Sequence, residues 1–517
     1  MKSMSKTIII IGAGLAGLSA ALQAAENGCN VKLVSSLPSE RAQSVMAEGG
    51  INAALNTKDE NDSPEEHFTD TIKAACGLAD PNAVWGMTQA APELVHWLLK
   101  LGVKFNMSGY DDVDLRNFGG QKKKRTAFAQ SDTGKQIMTA MIDAVRRKEA
   151  SGMVERFSHH SFLTLRLCDN ICCGCVIRDE YSQETVELPG DAVIVATGGM
   201  HGLFGNTTGS LSNTGEVTAE LFRLGVPLAN GEMIQYHPTT VKCGGKRMLI
   251  SEAARGEGGR LFAMKDGKQW YFMEEKYPEL GNLMPRDITA REIWKVSHES
   301  EVFLDMTEIS EEIISNKLSG LADDCMTYLH KDIRKEPVSV LPGIHYFMGG
   351  ILVDEQHRTP IQNLYAAGEC CAQYHGANRL GGNSLLGALY GGRVAAKSAC
   401  EQADVVDLSC ATQIDFPPAS QISEIKQLNK VMQETMGVVR NENTLLNGIQ
   451  TVQALTGNLP LLGMAVLKSA LARKESRGAH WREDYPKSND DDYLKTTVAR
   501  FDGKQIQISF VPVPERR

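Results

Sequence analysis

Glycines 12, 14 and 17 form a G-x-G-x-x-G between an apolar run, Thr7 to Ile11, and a helical pattern that continues to about Asn27. Glycine at this spacing, with Ala13 in the same turn, permits a tight turn and close backbone approach to a pyrophosphate. The N–H groups at the start of the following helix favour the same anion. The acid that usually ends the second strand of such a unit is missing: Ser35 and Ser36 stand there, which disfavours a simple NAD site. Ala47-Glu48-Gly49-Gly50 and Gly381-Gly382-Asn383-Ser384-Leu385 are further glycine loops. Gly368-Glu369 follows an apolar run and puts a carboxylate where a ribose hydroxyl could be met.

A second set of residues is suited to anions. His237-Pro238-Thr239, Ser251-Glu252, Arg255, Arg286, His345 and Arg379 mostly lie near glycine- or proline-marked turns. A small dicarboxylate needs cationic or donor groups at both ends, and this set can supply them. Spacing alone does not bring them together.

These residues need elements to position them. Thr7 to Ile11 is β-branched and continuous, the mark of a strand buried on both faces. With the helix to Asn27 and a strand at Val31 to Val34 it makes a βαβ opening. Ser63-Pro64-Glu65-Glu66 has the form of a helix start, and helical pattern runs in pieces to about Val103. Thr133 to Lys148 is a further helix. Val154 to Val186 reads as strands and turns, and Ala192 to Ala196 as a buried strand. Mixed short elements follow from Gly231 to Gly343, and Asn363 to Gly368 restores a buried strand. The first domain is thus interrupted and resumed. Pro417-Pro418 reads as a linker, Ile422 to Arg473 as helical with a break at Pro460, and the rest as a polar tail with some strand character.

Composition sets the outer limits. The 517 residues are too many for one core. A hydrophobic share of 42% and a charged share of 23% are ordinary globular usage. The net charge of −9 excludes wide non-specific nucleic-acid binding, and the basic run Lys122 to Arg125 reads as a solvated loop. No stretch reaches the ~18 uninterrupted apolar residues of a membrane span. Lys2, Lys6 and the apolar run after them superficially resemble a secretory signal, but the glycine motif explains them better. Twelve cysteines without a disulfide pattern point to a reducing compartment. Cys168, Cys172, Cys173 and Cys175 fall on two short strands around Asp169-Asn170 and read as structural thiols rather than a metal site. Cys370 and Cys371 are too close in sequence to share an ion.

The ordered motifs IIIIGAGLAGLSAA, MAEGGINAAL, FGGQKKKRTAFA, QYHPT, SEAARGEGG, MPRDITARE, HYFMGG, LYAAGE, HGANRLGGNSLLGALYGGR and RKESRGAHWRED resemble the flavoprotein subunits of succinate dehydrogenase and fumarate reductase over nearly the whole chain. The wider family includes L-aspartate oxidase. The resemblance implies an α/β fold with a Rossmann-like FAD-binding domain in two segments (1–230 and 344–405). An inserted α+β capping domain (231–343), a C-terminal helical domain (420–480) and a tail (481–517) complete it. It implies FAD, with Gly12, Ala13, Gly14, Gly17, Ser35, Gly49, Gly50, Glu369, Ser384 and Leu385 around it. It places a dicarboxylate against His237, Ser251, His345, Arg379 and Phe118, with Arg286 as proton donor and Glu252 and Arg255 as its relay. Electrons would pass through an iron–sulfur partner subunit and a membrane anchor or other donor. The chain would be cytoplasmic, held peripherally through its partners.

Three departures stand out. Membrane-complex members carry a histidine that bonds to FAD, and Gln43 of Arg41-Ala42-Gln43-Ser44 replaces it, so non-covalent FAD is expected, with fumarate reduction favoured. A TGDG-type stretch reads Thr214-Gly215-Glu216-Val217. The chain is also short between Arg393 and Arg473. L-aspartate oxidase remains the competing enzyme, against which FGGQ counts, and a flavin-binding scaffold without turnover is the reading of another class.

Overall fold

The centre of the protein is a five-stranded parallel sheet. In this computed structural model, which describes residues 5–110, 112–404, 414, 416 and 422–517, its strands are β1 (Thr7–Ile11), β2 (Asn30–Ser35), β3 (Val154–Ser158), β4 (Ala192–Val195) and β5 (Leu364–Ala366), in the order β5-β4-β1-β2-β3. Ile8, Ile9 and Ile10 are wholly buried, as a central parallel strand covered on both faces requires. β5 pairs in register with β4, Val193 opposite Leu364, although the strands are far apart in sequence. The fold is α/β, and one domain is built from chain segments on either side of an insertion.

Two helices line this sheet and meet along their length. α1 (Leu15–Glu26) follows the glycine turn, and α2 (Asn383–Gln402) follows the second glycine loop. Small residues let them close up: Ser19 Oγ donates to the Leu389 carbonyl at 2.7 Å. Leu15 and Ser384, in the first turns of the two helices, line the same cleft.

The insertion has its own core. Ile234–Cys243 pairs antiparallel with Leu341–Phe347, with the register disturbed at His237. A four-stranded sheet and the helix Arg286–Val296 pack around Leu261, Ile293 and Leu304, and Phe118 from the first segment joins them. The hairpin around Asp169-Asn170 forms, with φ of 47° and 67° at the two turn residues, as a tight two-residue connection demands. Cys172, Cys173 and Cys175 are buried on its second strand.

Several expectations need correction. Arg125 is not solvated: it is fully buried and paired with Asp62 at 2.9 Å and Asp70 at 3.0 Å. Pro460 does not break the C-terminal helices. It lies in the first turn of Asn458–Ala472, where the missing N–H has no intrahelical acceptor to lose, and the break precedes it at Gly457. The tail, by contrast, carries the strand character expected of it. Lys495–Phe501 pairs with Leu228–Ala229, and Ile506–Pro512 adds the edge strand. The Pro417-Pro418 linker lies outside the described residues.

Candidate active site

One cleft of about 1060 Å³ runs from the β1–α1 turn to the insertion. Every candidate residue lines it except Gly17 and Arg255. Gly12 holds φ at +108°, and a Cβ there would lie 2.3 Å from the Ala196 carbonyl oxygen; one on Gly17 would lie 1.8 Å from Gly12 O. The turn is thus as tight as glycine permits, and it leaves Ala13 and Gly14 bare to the cleft. Gly49 and Gly50 also line it, and Ser384 and Leu385 sit in the first turn of α2.

The polar groups of this half fit a dinucleotide. Ser35 Oγ, at the end of β2, is buried and has no partner in the protein, although it lines the cleft, so a ribose hydroxyl would satisfy it. Glu369 Oε1 accepts the Phe347 N–H at 3.1 Å and lies 3.7 Å from His201 Nε2. Burial pushes its carboxyl up to about 7. Two helix N-termini supply positive dipole ends. Gln43 Oε1 accepts the Ser210 N–H at 2.5 Å, which fixes this side chain in the cleft wall.

At the far end Glu252 holds two arginines. Arg286 Nη2 and Nε reach Glu252 Oε2 at 2.6 and 2.7 Å, and Arg255 Nη2 lies 3.4 Å from Oε1. Oε1 also accepts the Gly119 N–H at 3.1 Å, so the FGGQ loop is tied to the insertion here. Burial pushes the Glu252 carboxyl up, but Arg286 and Arg255 outweigh it and hold it below its usual range. Ser251 caps the short helix Glu252–Gly256. Arg255 Nη1 donates to the Asn282 carbonyl at 2.7 Å, and burial lowers its pKa.

His237 and His345 face each other with ring centroids 5.1 Å apart. His237 Nδ1 lies 3.0 Å from the Thr239 carbonyl, and His345 Nδ1 lies 2.8 Å from Thr208 Oγ1. Burial, followed by the nearby Arg286, drives both far below the ordinary histidine range, so both rings are neutral. Arg379 lies over the Tyr346 ring at 4.3 Å, and its buried Nε has no partner. Burial and Arg286 bring it down to about 9, which leaves it charged at neutral pH. Phe118 wedges between Gly49 and Gly381.

Sequence reasoning missed two residues here. Gln235 accepts from Arg286 Nη1 at 3.1 Å and donates to Asn378 Oδ1 at 2.9 Å and the Arg379 carbonyl at 2.8 Å. Its position two residues before His237, on one face of a strand, was the available signal. Glu48, which in the sequence is only part of a glycine loop, is the second. It is half-buried beside Ser251, its buried Oε2 has no partner, and desolvation with the Asp324 charge pushes it up to about 8.

A family model for an FAD binding domain matches residues 7–385, and one for the fumarate reductase flavoprotein C-terminus matches 455–516. The chain belongs to the succinate dehydrogenase/fumarate reductase flavoprotein family. The succinate dehydrogenase flavoprotein subunit of Bacillus subtilis is 38% identical, over 99% of this chain and 98% of its own length. The 8-methylmenaquinol:fumarate reductase flavoprotein subunit of Wolinella succinogenes is 32% identical, over 99% and 92%. A mutant FrdA chain of E. coli quinol fumarate reductase superposes with a TM-score of 0.89 at 27% identity, covering 99% of this chain and 97% of that one. The flavoprotein described here is therefore an FAD-dependent oxidoreductase, and among its described residues no helix is long and apolar enough to cross a membrane.

Proposed function

We propose that this flavoprotein interconverts fumarate and succinate, works mainly as a fumarate reductase, and exchanges electrons through an iron–sulfur partner subunit. The observation that carries the reading is the Arg286–Glu252–Arg255 chain, which opens into the same cleft as Arg379, His237 and His345. Three guanidinium cations against the Glu252 carboxylate leave two positive charges, the complement of a dicarboxylate dianion.

Arg379 would clamp one substrate carboxylate, and its unpartnered Nε is a donor in want of an acceptor. The contact of His345 Nδ1 with Thr208 Oγ1 at 2.8 Å orients that neutral ring; His237 and Ser251 complete the clamp. Clamping both carboxylates aligns the double bond, and the arginines stabilise negative charge that develops on a carboxylate. FAD would be held without a covalent bond, because Gln43 stands where the resemblance expects a linking histidine, and when bound would supply a two-electron hydride carrier, with fumarate reduction favoured. Arg286 delivers the proton to the other alkene carbon. Glu252, hydrogen-bonded to Arg286, returns it, and Arg255, buried beside Glu252, is the next member of the relay.

Fumarate reduction by the FAD-loaded chain with a chemically reduced viologen dye tests this, because the dye replaces any partner. Turnover that disappears in Arg286→Ala while FAD stays bound supports it. A flavin that the dye reduces fully, with no fumarate turnover, overturns it. Acid precipitation tests the non-covalent reading, which fails if flavin stays with the pellet.

A further inference from the structure

Away from the cleft, the far ends of α1 and α2 bring two thiols together. α1 ends at Glu26, and Gly28, with φ of +80°, turns the chain so that the Cys29 N–H bonds the Ala24 carbonyl at 3.0 Å. This left-handed helix cap fixes where Cys29 stands. The next residue enters β2, where Asn30 N–H bonds the Lys6 carbonyl at 2.9 Å. Cys400 lies in the last turn of α2. The two Sγ atoms are 3.0 Å apart, although 371 positions separate them in the chain. That is inside ordinary sulfur–sulfur contact and about 1 Å beyond the ~2.05 Å of a disulfide bond. Lys6 Nζ reaches the Cys400 carbonyl at 2.8 Å, which places an ammonium at the pair.

We propose that Cys29 and Cys400 are a reversible disulfide site, oxidised by a low-molecular-weight disulfide, which locks the distal ends of the two helices whose first turns border the cofactor cleft. Three features support it beyond the distance. The residues beside Cys29, Gly28 and Asn30, are exposed, so the pair lies just under a surface turn. Cys29 is held between α1 and β2 by its N–H bond to the Ala24 carbonyl, and Cys400 by α2, which packs closely on α1. The hydrogen bond from Cys400 and the Lys6 charge draw the Cys29 thiol down to about 7 against its burial, so a thiolate is available at neutral pH.

The exchange balances in two steps. The Cys29 thiolate attacks one sulfur of the small disulfide and expels a small thiolate. The Cys400 sulfur, giving up its proton, then attacks Cys29 Sγ in the mixed disulfide and expels the second small thiolate. The protein loses two electrons and two protons, and the small disulfide becomes two thiols.

The test treats the FAD-loaded protein with oxidised glutathione, blocks remaining thiols with iodoacetamide, and maps peptides without reductant. The expected result is a Cys29–Cys400 cross-linked peptide, lighter by two hydrogens than the two peptides together and lost on adding dithiothreitol. Oxidation should raise the melting temperature, because the cross-link closes a loop of several hundred residues in the unfolded chain. Cys400→Ser should stop the exchange at a stable glutathione adduct on Cys29. Recovery of both cysteines as separate alkylated peptides after oxidation, with the melting temperature unchanged, overturns the proposal; so does the same melting-temperature rise in Cys400→Ser.

Discussion

Arg286 meets Glu252 through two nitrogens on a single carboxylate oxygen, Nε at 2.7 Å and Nη2 at 2.6 Å. Gln235 takes Nη1, so the guanidinium plane is fixed from both sides. The other Glu252 oxygen is shared by Gly119 N–H and Arg255. A buried carboxylate in this position keeps Arg286 in place and can also take a proton onward. Glu252→Gln preserves the shape and, through its one carbonyl oxygen, the bond to Arg286, but not the charge. Viologen-linked fumarate turnover should fall by about 10²- to 10⁴-fold, the usual range for lost proton transfer, with FAD content unchanged. Because the proposed dicarboxylate clamp stays, KM should move far less than kcat. A kcat within a factor of two of the parent would remove Glu252 from the relay.

The glycine turn gives a test of the cofactor cradle that does not depend on turnover. A methyl group on Gly17 would meet Gly12 O at 1.8 Å, and backbone on both sides leaves nothing flexible to yield. Gly17→Ala should therefore push α1 off β1, and the purified protein should carry little FAD, read from the 450 nm absorbance per chain. Retention of full flavin would mean that the turn does not hold the pyrophosphate.

The buried Glu48 carboxyl makes stability depend on pH in a defined direction. Its pKa rises from the ordinary 4.5 to about 8 in the folded protein. Between those values the folded state binds more protons than the unfolded one, so stability falls as pH rises. The contribution is complete below about pH 4.5 and lost by about pH 8. Glu369, raised to about 7, acts in the same sense over a narrower window. Glu48→Gln should flatten the decline of melting temperature between pH 5 and 8, with its largest gain over the parent at pH 8. Parallel curves for variant and parent would show that Glu48 is ionised in the fold.

The sequence carried the parts of this architecture that are local. Four consecutive isoleucines after Thr7 can only be a doubly covered strand, and Asp169-Asn170 can turn where few residues do. Chemistry that depends on distant partners was less legible. Arg125 read as one more cation in a basic run, because nothing near it in sequence shows Asp62 and Asp70 arriving from another segment. Gln235 looked unremarkable because its role is to join Arg286 to the Arg379 loop, from two other elements. Pro460 misled for a different reason: proline ends a helix from its interior but is tolerated in its first turn, and the glycine three residues earlier was the stronger signal.

Arg473 shows the same dependence on tertiary context, and it yields the largest stability effect expected. All five of its N–H donors are used: Nε on Glu232 Oε1 at 2.7 Å, Nη1 on Glu475 Oε1 at 2.7 Å and the Tyr493 carbonyl at 2.8 Å, and Nη2 on the Lys495 carbonyl and Thr497 Oγ1, both at 2.7 Å. Arg473, Glu232 and Glu475 are fully buried. The residue thus ties the helix Asn458–Ala472 to the strand Lys495–Phe501 and to the segment leading into His237. Arg473→Met fills similar volume but leaves Glu232 without its cation and two carbonyls without donors. Removing one partner of a buried pair costs about 3–5 kcal/mol, so the urea midpoint of the FAD-loaded protein should drop sharply. Arg473→Lys should recover only part of the loss, since an ammonium has three donors and no planar fork. Equal midpoints for Arg473→Met and the parent would mean that this network contributes nothing net, with the desolvation of its charges cancelling their attraction.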